Sequence, residues 1–188
     1  MFARIAATVL ALTLTVQVAF AAPQPYRLDI DRSEVRFTIV AEGSRQSGVM
    51  PVKAAKMLID LDNVPASKVD VTLDAAGARM GAFFLTQTMK GPEVLDTARF
   101  PNIRFRSTRI VGDLAGARIS GDLTIRDVTL PVTLEAGLYR QRGTPEGSRD
   151  KLTVMLTGTV SRAAFGADGF SGFVGDQIDL RIIVQIER

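Results

Sequence analysis

From Arg99 to Leu138, apolar residues fall at every second position in three successive runs: Ile103/Phe105, Ile119/Leu123/Ile125 and Val132/Leu134/Ala136/Leu138. Short turns, Gly112 to Gly116 and Arg126 to Val128, separate them. Successive side chains of a strand point to opposite faces, so this spacing predicts a β-meander with one apolar and one polar face. Arg104, Arg106, Ser120, Asp122, Thr124, Thr133 and Glu135 make up the polar set. The apolar face has to be covered by a second sheet, a helix or a guest.

The same period recurs on both sides of the meander. Val35/Phe37/Ile39 predicts a strand with Tyr26 to Ile30 as an extended lead-in. Val49 to Leu61 is a longer extended run whose Pro51 suits an edge or a bend, since proline has no N–H for a central ladder. Val69/Val71/Leu73/Ala75, Leu152/Val154/Leu156/Val160 and Ile178/Leu180/Ile182/Val184/Ile186 complete a set of about eight strands. One segment departs from the period of two. Met80, Phe83, Phe84, Leu85 and Met89 fall at helical spacing, which predicts one or two helical turns near residues 80–90, ended at Gly91-Pro92. Gln141 to Asp150 reads as a polar hairpin end. Arg162 to Gly175 is a glycine-rich loop that carries Phe165, Phe170 and Phe173.

Strands without a βαβ rhythm predict an all-β protein, and their number favours an eight-stranded antiparallel up-and-down barrel. A two-sheet sandwich would show the same alternation. An eight-stranded barrel is just wide enough to be filled by its own side chains or to hold one small ligand.

The first residues stand apart from this pattern. Arg4 precedes the uncharged run Ile5 to Val16, and the small-residue triplet Ala19-Phe20-Ala21 follows, as in a secretory signal peptide. The expected organisation is a signal peptide over 1–21 and a single barrel domain over 22–188. Cleavage is expected after Ala21, because cutting one residue later would put Pro23 next to the scissile bond. The expected location is periplasmic or secreted.

The chain is 46% hydrophobic and 23% charged, enough for one sizeable core. With no Cys it has neither disulfides nor a lipid-attachment thiol, so the mature domain is expected to be soluble, without stable membrane insertion, and stabilised by its core alone. Without Arg4 it carries 22 basic residues (23 less one) against 20 acidic, scattered along the chain, which argues against nucleic acid or a strongly anionic membrane as the main partner.

With no His and no Cys there is no imidazole base, thiolate nucleophile, Ser-His-Asp triad or ordinary zinc site. Carboxylate pairs remain, Asp29/Asp31 and Asp60/Asp62, which in other settings build glycosidase or Ca²⁺ sites. Both pairs adjoin turn residues, and turn chemistry accounts for them. Gly166, Gly169, Gly172 and Gly175 lack the Lys-Ser/Thr pair and helix start of a phosphate loop. Arg99, Arg104, Arg106 and Arg109 read as a solvated outer face, the alternative being a barrel mouth that meets an anionic head group. No enzyme activity and no cofactor are expected. The Phe-rich helical segment and late loop have the character of a lid over an apolar cavity.

Four ordered pieces carry a family resemblance: Tyr26-x-x-Asp29-x-x-x-Ser33-x-Val35-x-Phe37; Leu95-Asp96 through Phe100-Pro101-x-Ile103-x-Phe105-x-Ser107; Gly121-x-Leu123-Thr124-Ile125-Arg126-Asp127-Val128-Thr129-Leu130-Pro131-Val132; and Ser161-Arg162-x-x-Phe165-Gly166 followed by Asp176-x-Ile178-x-Leu180. From Tyr26 to Glu187 the chain resembles the YceI-like family of exported lipocalin-like, polyisoprenoid-binding proteins. It departs where the family often has Gly-x-Phe, here Gly48-Val49-Met50, and at Asp127, where a glycine is common. The resemblance implies a barrel with a helix near one end, enclosing a long apolar tunnel for a polyisoprenoid or similar amphiphile. It also implies links to isoprenoid quinone metabolism and to cytochrome b modules. The expected function is therefore an exported carrier or sequestering protein for a long-chain isoprenoid lipid of the polyprenyl or quinone type. The alternative is a ligand-free interaction module for a membrane redox partner such as a cytochrome b. Alternation and position select Phe37, Val71, Leu73, Phe83, Phe84, Phe105, Leu123, Leu134, Leu156 and Phe165 as tunnel lining. An exposed edge or a shared lid would suit a homodimer.

Overall fold

A computed structural model describes residues 23–188; the expected signal peptide and its cleavage point lie outside the described residues. Ten strands are formed: β1 (Gln24–Ala41), β2 (Ser44–Met50), β3 (Val52–Ile59), β4 (Lys68–Asp74), β5 (Arg79–Met80), β6 (Asn102–Gly112), β7 (Ala117–Ile125), β8 (Val128–Arg140), β9 (Lys151–Ser161) and β10 (Gln177–Glu187). The α-helix, α1 (Phe83–Lys90), lies between β5 and β6.

The strands close into an eight-stranded antiparallel barrel. Consecutive strands from β6 to β10 pair as an up-and-down meander, β4 pairs with β6, β3 with β4, and β1 joins the two free edges. It meets β10 through Val35↔Ile182 and Phe37↔Leu180. Its other edge meets β2 and β3 in turn, through Val35↔Met50 and Tyr26↔Met57. β2 and β3 therefore make one barrel strand, interrupted at Pro51 where the chain has no N–H to donate. β5 is a two-residue addition to the edge of β2. Closure, with a single ring of hydrogen bonds, distinguishes this fold from a two-sheet sandwich.

Three irregularities interrupt the alternation. Pairing shifts between Asp29 and Glu34 in β1, between Val52 and Ala54 in β3, and between Ser107 and Arg109 in β6. An extra residue reverses the parity of everything after it. In β6 the buried positions thus run Ile103 and then Ile110, with Arg109 outside.

The two barrel ends differ. One carries the β1–β2 turn, the β5–α1 excursion, the β7–β8 turn and the 162–176 loop. The other carries the 60–67 connection, the 113–116 turn and the 141–150 loop. Near this second end Tyr26, Met57, Leu152 and Ile186 form a buried cluster, and the Tyr26 hydroxyl donates to the Arg149 carbonyl at 2.8 Å. Burial raises the Tyr26 pKa.

Candidate ligand cavity

Inward-facing residues of all eight barrel strands surround a cavity of about 360 Å³. It reaches from Leu85, Met89, Phe165 and Phe170 at the α1 end to Leu61, Val64 and Leu114 at the other. Among its lining residues only Ser67, Thr88, Asp113 and Arg162 have polar side chains. Each of these is engaged by the protein's own backbone. Ser67 Oγ accepts from the Asp60 N–H at 2.9 Å, and Thr88 Oγ1 donates to the Phe84 carbonyl at 3.0 Å. Asp113 Oδ1 accepts from the N–H groups of Ala115 and Gly116. Arg162, 7% exposed, donates from Nε to Gly175 O, from Nη1 to Ala167 O and Gly169 O, and from Nη2 to Val174 O, at 2.6–3.0 Å. It ties the 162–176 loop across the barrel end.

Inward glycines keep the lumen open. Phe37 lies over Gly48, Phe105 over Gly121 and Leu134 over Gly158, each on the neighbouring strand. Without a Cβ beneath them, these large side chains lie along the wall instead of filling the centre. Met50 is buried and lines the cavity beside Gly48.

Phe37, Val71, Leu73, Phe105, Leu123, Leu134, Leu156 and Phe165 all face this cavity. Phe83 and Phe84 do not; they are 79% and 66% exposed. The reason is local. Met80 belongs to β5, so the apparent helical repeat Met80–Phe83–Phe84 does not lie on one helix. On α1, Leu85 and Met89, one turn apart, face the lumen, while Phe83 and Phe84 share the outer face with Gln87.

The other candidates settle as structural groups. Asp29 caps the turn before Ser33, accepting the Arg32 N–H, and Asp60 Oδ1 accepts the N–H groups of Asp62 and Asn63. Asp62 is ion-paired with Arg149 at 2.7 Å. Among the described residues no cluster of acidic side chains is arranged to hold a metal ion. Arg104 and Arg106 lie on the outer wall against Asp70, and the Arg104 hydrogen bond holds the Asp70 carboxyl below the usual carboxylate range. Arg99 stands over the Phe100 ring. Arg126, at a positive φ in the β7–β8 turn, donates to Val94 O and Gly166 O and so links two segments of the α1 end. Sequence reasoning gave no role to Arg126 or Arg162. The one signal for Arg162 was its place in a family motif.

An antiparallel barrel closed around a largely apolar cavity defines a lipocalin-like barrel. The chain belongs to the YceI-like family, since the YceI-like domain matches residues 26–186. Protein YceI of Escherichia coli O17:K52:H18 is 31% identical over 126 residues, which is 67% of this chain and 65% of that protein, just under two thirds of its length. UPF0312 protein Ent638_1570 of Enterobacter sp. is similar to the same extent, 31% over 126 residues. Among solved structures, Burkholderia cenocepacia BcnA shares the fold with a TM-score of 0.74 at 17% identity, over 85% of this chain and 99% of that one. The Campylobacter jejuni YCEI protein does so with a TM-score of 0.62 at 22% identity, over 75% and 84%.

Proposed function

We propose that this chain is an exported carrier or sequestering protein that holds a long-chain isoprenoid lipid in its barrel, with no catalytic step and no cofactor of its own. The observation that carries this reading is the state of the lining: its four polar side chains already hydrogen-bond to backbone, and the rest is aliphatic, aromatic, Met or Gly. A polar guest would leave its own groups unpaired there, at a cost of about 1–3 kcal/mol each. An apolar tail gains about 0.8 kcal/mol per buried methylene, so roughly ten carbons supply on the order of 8 kcal/mol before association costs. The cavity also favours a long guest. Its lining runs from Leu85 and Met89 at the α1 end of the barrel to Leu61 and Leu114 at the other.

Membership of the YceI-like family supports the same lipid class, and the Met1 to Ala21 sequence supports export. Native extraction of the mature protein followed by lipid mass spectrometry tests the proposal, with a co-purifying isoprenoid and saturable binding of prenyl alcohols or prenyl quinones as the expected result. Delipidated protein that takes up none of these would overturn it. N-terminal mass analysis of the exported form should begin at Ala22.

A further inference from the structure

Among the described residues four Phe side chains are exposed, and all four stand at one end of the barrel. Phe83 and Phe84 project from α1, and Phe170 and Phe173 come from the 162–176 loop, 45% and 65% exposed. Backbone contacts fix the two segments around a common mouth. Gly169 N–H donates to Glu93 O just beyond α1, and Glu42 N–H in the β1–β2 turn donates to Phe173 O. Both segments also reach the lumen, through Leu85 and Met89 on α1 and through part of the Phe170 ring on the loop.

We propose that this end of the barrel docks on a lipid bilayer containing anionic lipid, with Phe83 and Phe84 as the leading anchors. The inference rests on the reading of the cavity as a lipid site and deepens it, since it names the surface from which the site is filled. Three observations favour a bilayer over a second copy of the chain. First, a stable protein interface buries about 800 Å² per partner, whereas four partly exposed rings of roughly 150–250 Å² each offer on the order of 500 Å². Second, the stretch from Arg79 to Lys90, which bears both leading anchors, contains two cations and no carboxylate, and neither cation makes an ion pair among the described residues; the carboxylates of this end, among them Glu42, Glu93 and Asp168, lie on the neighbouring turns and loops. Aromatic rings flanked by free basic groups match an interface of acyl chains and anionic head groups. Third, the anchors and the lumen share one helix. Seating the outer face of α1 among head groups brings its Leu85/Met89 face, and the mouth it roofs, against the membrane.

The test uses the mature protein and vesicles of phosphatidylcholine with and without phosphatidylglycerol. The chain contains no Trp, so Phe83→Trp supplies a single indole reporter. Its emission should shift to the blue on vesicles, more so with the anionic lipid. The double substitution Phe83→Asp/Phe84→Asp should lower the vesicle-bound fraction about tenfold or more, because it replaces two inserted rings with charge. Its melting temperature and its binding of a prenyl alcohol presented in detergent micelles should be unchanged, while uptake of that alcohol from vesicles slows. Unshifted emission, or a double variant that binds vesicles as the wild type does, would overturn the proposal. So would a wild-type dimer that the substitutions dissolve, since the patch would then belong to a second copy. Vesicle docking with no prenyl alcohol bound in micelles would instead remove the carrier reading and leave the docking face standing.

Discussion

The ring of Phe105 on β6 lies over Gly121 on β7, so closely that a Cβ at position 121 would stand 2.5 Å from the Phe105 Cζ. Leu134 on β8 bears the same relation to Gly158 on β9, at 2.6 Å from Cδ2. A barrel of eight strands is narrow enough for inward side chains to fill it. Here three of the large ones are folded against the wall, and the space they would have taken is the cavity.

Gly158→Ala tests this relation at low structural cost. The new methyl meets chiefly the flexible end of Leu134, with the nearest backbone atom, Thr133 O, at 3.3 Å. Leu134 should swing toward the lumen, leaving stability within about 1 kcal/mol of wild type while reducing the capacity of the cavity. Titration with prenyl alcohols of increasing length should show the longest ones weakened most.

Gly121→Ala should behave differently. Its Cβ would stand 2.5 Å from the Arg106 carbonyl oxygen as well as against the Phe105 ring, and backbone cannot rotate away. A loss of about 1–3 kcal/mol is expected, read from the midpoint of chemical denaturation.

Arg162→Met should loosen the α1 end. The guanidinium satisfies four backbone carbonyls at once, and methionine leaves them without their donor. The expected cost is about 3–5 kcal/mol, with proteolytic cleavage appearing within 163–175. Arg162→Lys should restore little, because a single ammonium cannot present the same planar fork of donors. A cleavage pattern identical to wild type would remove this role.

Acid should weaken the outer wall only slightly. The Arg104 hydrogen bond depresses the Asp70 pKa in the folded state, so the contribution is present above the unfolded-state value near 4 and is lost as pH falls through the lower folded value. Arg104 is about half exposed, so solvent screens the pair and its contribution is small. Stability measured from pH 5 downward should therefore differ between wild type and Asp70→Asn at the upper end of that range and converge below it.

A net charge placed in the lumen should block loading outright. Leu123 is buried and faces the cavity from the centre of the meander. An aspartate there has no donor within the apolar lining, so Leu123→Asp should abolish retention of lipid through purification and cost several kcal/mol of stability. The lipid content of the purified variant checks the first point, and denaturation the second.

Alternation along the chain determined the strand set, the antiparallel class and the inward parity of the seven proposed lining residues that lie on strands, because a pleated strand must separate its two faces. It also located the bend at Pro51 and the helix end at Gly91. Three matters were decided only by tertiary structure. Periodicity is the same in a sandwich and a barrel, and it was the long-range pairing of β1 with both β10 and β3 that closed the ring. The helical repeat at Met80, Phe83 and Phe84 had the spacing of a buried face, but pairing of Met80 with Gly48 ended that face before the helix began and turned both rings outward. Above all, alternation shows which side chains point inward and not whether they meet. Whether the lumen is filled depended on where three glycines fell across from Phe37, Phe105 and Leu134, a register set by the turns and bulges between neighbouring strands, which alternation within each strand does not record.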